Sequence, residues 1–227
     1  MEFTAEQLRA FGVALNEASV IAVDVRPELR AVAVTLGVLA LPEDDGPEPA
    51  DPRRVLLLES VGRIAASLRA GRWDDADAPV ETFPLDGLRD AVTGFEQQTI
   101  HGWSFLDVPA DETFDRWSDR LSLDWRAEPD GLSHTLDLFQ ESAAGAARHL
   151  ELRIWFDELR VFEPDGHELA FDEFTAAGVR WWDALKAGDP RTAGHGIDAV
   201  TGSVDGGGNH AAGNGVQPQC VNVVCSA

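Results

Sequence analysis

The chain has 227 residues, 44% of them hydrophobic, and a formal net charge of −22. That length fits one ordinary domain plus an extension, and that charge repels phosphate backbones, which disfavours nucleic acid as a partner. Mean hydropathy is −0.16, and the sequence lacks the run of about eighteen apolar residues that a membrane-spanning helix needs, so no membrane association is expected.

The N-terminal stretch Met1-Glu2-Phe3-Thr4-Ala5-Glu6 is acidic and has neither a basic nor an apolar signal region, which makes the cytoplasm the expected location. Thr4 and Gln7 form a capping box, and Leu8, Phe11 and Leu15 make an apolar stripe, so a first helix is predicted here. Strand-like runs follow at 20–25 and 31–41, with Arg26-Pro27-Glu28 as the turn between them. The acidic, Pro-rich stretch 42–52 reads as a mobile loop. Residues 55–68 read mainly as strand, with a bulge at Gly62, and Trp73 to Asp77 as a surface turn.

Leu85, Leu88, Val92 and Phe95 have helical spacing, and 99–108 is strand-like around Trp103 and Phe105. Asp111 is placed to cap a short helix with Phe114, Trp117 and Leu121 on its inner face. Leu121, Leu123 and Trp125 alternate toward Asp130-Gly131, a hairpin signal, with a return strand at 133–140. Alternation resumes at Leu150, Leu152, Ile154 and Phe156, and Pro164-Asp165-Gly166 marks a second turn. Asp172 is placed to cap a last helix bearing Phe174, Gly178, Trp181 and Leu185, which Gly188-Asp189-Pro190 stops. The expected fold class is α+β: an antiparallel sheet, a meander in its second half, with about four helices packed on it and a disordered C-terminal tail.

Composition divides the chain into an acidic globular domain at 1–191, a Gly-rich flexible linker at 192–218 and a Cys-containing terminal peptide at 219–227. Every Lys and Arg lies at or before Arg191. The linker lacks the apolar surface to offset an ordering entropy of about 1–2 kcal/mol per residue.

The body holds no Cys, no nucleotide-binding glycine motif, no zinc-protease motif and no nucleophile elbow, so a non-enzymatic protein without a cofactor is expected. His134 and His149 fall on neighbouring predicted strands where they can face each other. With Asp137 or Glu151 nearby they are the weak candidates for a metal pair. The preferred reading is plainer, exposed strand or turn residues. Trp181 lies on the apolar stripe of the last helix and reads as core. Trp182 falls at the edge of that stripe, where it packs on a loop or anchors a binding surface.

The two cysteines, Cys220 and Cys225, sit in the terminal peptide, downstream of Gly206-Gly207-Gly208. This layout resembles that of ribosomally synthesised, post-translationally modified peptide precursors, in which a leader precedes a short C-terminal core. The resemblance implies that the body is recognised by a protein partner, a peptide-modifying enzyme or a protease. It makes Gly206, Gly207 and Gly208 the hinge or processing region, and Cys220 and Cys225 the modified thiols. Ser226 is the only hydroxyl side chain from Asn209 onward, which favours disulfide, thioether-to-backbone or oxidative thiol chemistry over lanthionine rings. Prenylation is not expected, because Val224 holds the position that the modified Cys would need. Two alternatives stand beside this reading. One is a stand-alone acidic interaction or regulatory domain, adaptor-like or immunity-like, with a dispensable tail. The other is a hydrolase whose site the sequence does not display.

Overall fold

The computed structural model describes residues 2–75, 77–95, 98–100, 102, 104–127, 133–142 and 146–195. Helix α1 (Ala5–Leu15) starts at the expected capping box: Gln7 N–H donates to Thr4 Oγ1 at 3.2 Å, and Thr4 N–H donates to Gln7 Oε1 at 3.0 Å. Strands β1 (Ser19–Arg26) and β2 (Ala31–Gly37) pair antiparallel around Pro27–Leu29, as predicted, with Arg30 in the left-handed region closing the turn.

The stretch predicted as one bulged strand is β3 (Arg53–Glu59) followed by β4 (Arg63–Ala70). Their partners are also consecutive: β7 (Arg148–Phe156) pairs with β4, and β8 (Glu158–Phe162) pairs with β3. The register steps from Glu59↔Glu158 to Arg63↔Trp155, so the β3–β4 chain carries an extra residue at the corner. Ser60 takes a φ of 55° there, and the Arg30 guanidinium donates to the carbonyls of Ser60 (3.3 Å) and Val61 (3.1 Å). The ribbon thus bends from one sheet into another, a corner made by strands that switch sheets.

Two sheets result, not one. The first has the order β1-β2-β3-β8-β9, where β9 is Glu168–Leu169. The second has the order β5-β4-β7-β6, where β5 is Leu123–Arg126 and β6 is His134–Ser142. The hairpin expected at Asp130-Gly131 does not pair its flanking strands: β5 and β6 lie on opposite edges of the second sheet. Residues 128–132 fall outside the described residues. The pairing follows burial. β4 and β7 are covered on both faces along nearly their whole length, so they take the centre, and the alternating strands go to the edges. Of the predicted meander, the β6–β7 and β8–β9 pairs survive, while the chain leaves the second sheet between β7 and β8.

Among the described residues there are three α-helices, not about four: α1, α2 (Leu88–Thr93) and α3 (Phe171–Lys186). The segment after Asp111 makes only a 3-10 turn at Phe114–Arg116, because its aromatic side chains are drawn onto the second sheet. Asp172 does not cap α3. The N-cap is Ala170, and Asp172 in the first turn accepts from Gln7 Nε2 at 2.9 Å, which ties α3 to α1. Where those helices cross, a Cβ at Gly178 would lie 2.5 Å from Ala14 Cα, so glycine is what allows the approach.

The main core runs through both sheets and all three helices, from Phe11 and Leu15 through Leu56, Ile64, Leu152 and Ile154 to Phe174. A satellite core forms around Leu41, Trp181 and Leu185. The loop 42–52 expected to be mobile is held there. Glu48 accepts from Trp181 Nε1, Arg191 Nη1 donates to Gly46 O at 3.2 Å, and Arg180 Nε donates to Leu41 O at 3.1 Å.

Candidate functional site

Side chains alternate across the second sheet, and its rows are set by register. On one face Ile64, Ile154 and Leu136 align, as do Ala66, Leu152 and Leu138, and these fill the core. On the other face Ala65, Arg153 and Asp137 form one row and Ser67, Glu151 and Phe139 the next. Polar residues alternating with apolar ones read as a solvated strand face. The fold instead covers that face with residues 104–122.

The cover is pinned at both edges. On the β6 side, Asp137 N–H donates to Phe105 O at 2.8 Å and Asp107 N–H to Thr135 O at 2.9 Å. On the β4 side, Ser67 Oγ donates to Arg120 O at 2.7 Å and Ser122 N–H to Ala66 O at 2.8 Å. Phe114 and Trp117 pack edge to face over Ala65 and against Trp155. The Arg153 guanidinium spans sheet and cover, donating to Thr113 Oγ1 and Thr135 Oγ1 at 3.2 Å and to Val108 O.

A cleft of about 270 Å³ opens between cover and sheet. Trp73, Phe105, Trp117 and Phe139 line it, with Asp137 and Glu151 from β6 and β7 and Arg116 from the cover. The Glu151 side chain is only 7% exposed. Its Oε1 meets Arg69 Nη2 at 3.0 Å and Arg116 Nη2 at 3.6 Å, while Oε2 has no hydrogen-bond partner among the described residues. Asp137 Oδ2 lies 3.4 Å from Arg153 Nη2 and makes no hydrogen bond either. Burial pushes the Asp137 carboxyl up to about 7; Arg153 opposes the rise, and Glu151 and Asp107 add to it. Burial raises Glu151 as well, against the pull of Arg116, Arg69 and Arg120. Both unpaired oxygens keep acceptor capacity but are closed to solvent, so a donor reaches them only if the cleft lining yields, and Asp137 can exchange a proton near neutrality.

The register separates His134 from His149. His134 sits opposite Phe156 and His149 opposite Glu141, about 23 Å apart along the strand at ~3.3 Å per residue. They also lie on opposite faces. His134 is on the core face, with Nδ1 2.8 Å from Asp107 Oδ2 and its ring edge-on to Phe3. His149 is on the covered face, where Nδ1 lies 2.9 Å from Gly71 O. Burial lowers the His149 pKa, which keeps the ring neutral and makes Nδ1 the donor. Both rings are buried, contrary to the expectation of exposed residues, and they do not form a pair. Among the described residues no group of three or more His, Cys, Asp or Glu is placed to hold a metal ion.

Trp182 is half-buried, edge-on to Trp181 at 5.2 Å, and packs on the satellite core. Its Nε1 has no hydrogen-bond partner among the described residues. Gly206, Gly207, Gly208, Cys220 and Cys225 lie outside the described residues. Trp73 and Trp117, which line the cleft, were not singled out as site residues by sequence. Asp137 and Glu151 appear there only as neighbours of the histidines, since a single alternating strand does not reveal what covers it.

The fold and cleft define an α+β protein with two antiparallel sheets joined through a bent ribbon. No protein family, curated protein or solved structure matches the chain. No helix among the described residues is long and apolar enough to cross a membrane.

Proposed function

We propose that the folded body is a non-enzymatic binding domain whose ligand occupies the cleft over β6 and β7. One observation carries this reading: Glu151, nearly fully buried, belongs to the lining of an aromatic-walled cleft, and one of its carboxylate oxygens, closed to solvent, has no hydrogen-bond partner among the described residues. Leaving a buried polar atom unpaired costs about 1–3 kcal/mol, and a ligand that supplies the missing donor removes that cost. Titration of the full chain with single-ring fragments, read by tryptophan fluorescence, tests the reading. Binding that weakens in Trp73→Ala without loss of thermal stability supports it, since Trp73 is 50% exposed and outside the core. Fragments that bind wild type and Trp73→Ala alike, or bind neither, refute it.

A second reading concerns the terminal peptide. The body would be the recognition domain of a carrier or precursor, with a peptide-modifying enzyme or protease as partner. Gly206, Gly207 and Gly208 would be processed and Cys220 and Cys225 modified. Its support is in the sequence: both cysteines follow the last Lys or Arg, Arg191, and the Gly-rich stretch after it. Intact and top-down mass spectrometry of protein from the native host decides it. A mass shift within 209–227, or a chain ending near Gly208, supports the carrier reading. An unmodified full-length chain rejects it.

A further inference from the structure

The chemistry of the cleft narrows the ligand class. Both carboxylates, when ionised, only accept hydrogen bonds, so the group that completes them must donate. Neither Arg69 nor Arg153 lines the cleft; Arg153 Nη1 and Nη2 are engaged by Thr113, Val108 and Thr135, while its Nε makes no hydrogen bond among the described residues. Among the described lining residues the carboxylates of Glu151 and Asp137 come from the sheet, and the one guanidinium is that of Arg116 on the cover. The walls are Trp73, Phe105, Trp117 and Phe139, whose π-systems attract a cation when water is excluded. The net charge of −22 concentrates cations at the surface and repels anions. A cleft of about 270 Å³ matches one ring or a short chain with a polar head, below the size of a typical drug-sized pocket.

We infer that the cleft takes a small organic cation, a primary ammonium on an aromatic or short alkyl stem, with its N–H groups on Glu151 and Asp137 and its stem between the aromatic walls. The inference rests on the cleft reading above and adds the sign of the ligand's charge. Arg116 is the opposing element: its side chain is 58% exposed at the rim, and its Nη2 lies 3.6 Å from Glu151 Oε1. An incoming ammonium competes with it for the carboxylate.

Isothermal titration of the full chain with 2-phenylethylamine, 2-phenylethanol and 3-phenylpropanoate tests the charge at nearly constant shape. The amine is expected to bind most tightly, and Glu151→Gln to weaken it about tenfold, the worth of a charge-assisted hydrogen bond. Arg116→Ala, at an exposed position, is expected to tighten the amine and leave the alcohol unchanged. This keeps the test open if Glu151→Gln fails to fold. Tighter binding of the alcohol or the carboxylate, lost in Trp73→Ala, overturns the cation inference and leaves the cleft reading standing. Binding of none of the three probes overturns the inference, and the fragment titration with Trp73→Ala then decides the cleft separately.

Discussion

Arg69 and Glu151 meet at 3.0 Å between neighbouring strands β4 and β7, with side chains 5% and 7% exposed. Each is costly to bury alone, and together they hold the floor of the cleft. Arg69→Met leaves Glu151 with only the longer contact to Arg116 and is expected to destabilise the fold by about 3 kcal/mol. The double variant Arg69→Met/Glu151→Met removes both charges and is expected to recover most of that loss. Urea unfolding of the two variants measures the difference. Equal destabilisation in both would mean that packing, not charge, sets the cost.

Asp137 sets a pH dependence. Its carboxyl rises from an ordinary value of 3.8 to about 7 in the fold, so the folded state holds the proton more tightly than the unfolded chain. The stability from this group is complete below the unfolded value and is lost as pH rises toward 7, at up to about 1.4 kcal/mol per pH unit. The groups that face it are Arg153 and Glu151 on β7 and Asp107 from the cover. Glu151, itself raised, adds a slope of the same sign. Asp137→Asn is expected to flatten the profile and to be more stable than wild type at pH 8 relative to pH 5. Denaturant midpoints at the two pH values read this directly.

Gly178 is the contact that lets α3 lie on α1. A methyl group there meets Ala14 Cα at 2.5 Å and Ala14 Cβ at 2.6 Å. Gly178→Ala is expected to cost about 1–3 kcal/mol by overpacking, despite the better helix propensity of alanine. Adding Ala14→Gly is not expected to rescue it, because a backbone atom stands in the way. Thermal midpoints of the single and double variants check both statements.

Glu48 serves two donors on the satellite core, Trp181 Nε1 and His195 Nε2, the latter at 2.8 Å. Glu48→Ala strands the buried indole N–H, at a cost of about 1–3 kcal/mol, and releases loop 42–52 from α3. Faster amide exchange confined to that loop and the end of α3 is the expected outcome. Unchanged exchange would place the restraint in Arg191 and Arg180 instead.

Much of the local structure was legible in the sequence. The Thr4–Gln7 capping box marked α1, the Pro27 turn set the first hairpin, and the spacing of Phe174, Gly178, Trp181 and Leu185 marked α3. These signals act within a turn or two of the chain. The bulge expected at Gly62 within one strand is instead a corner between β3 and β4 in different sheets, with Ser60 as its left-handed residue. Strand partners were not legible. Asp130-Gly131 signals a turn, yet β5 and β6 pair with β4 and β7, because burial on both faces of those strands outweighs the proximity of the edges in sequence.

The sequence by itself determined the α+β class, the acidic composition and the elements with strong caps and periodicity. Only the tertiary structure decided that His134 and His149 lie apart, that loop 42–52 is held by Trp181 and Arg191, and that Glu151 and Arg153 are buried with Asp137 half-buried beside them. The physical reason is the same in each case. Alternation states which side chains share a face of a strand, but whether that face meets water or the aromatic rings of Phe114 and Trp117 depends on a segment that arrives from elsewhere in the chain.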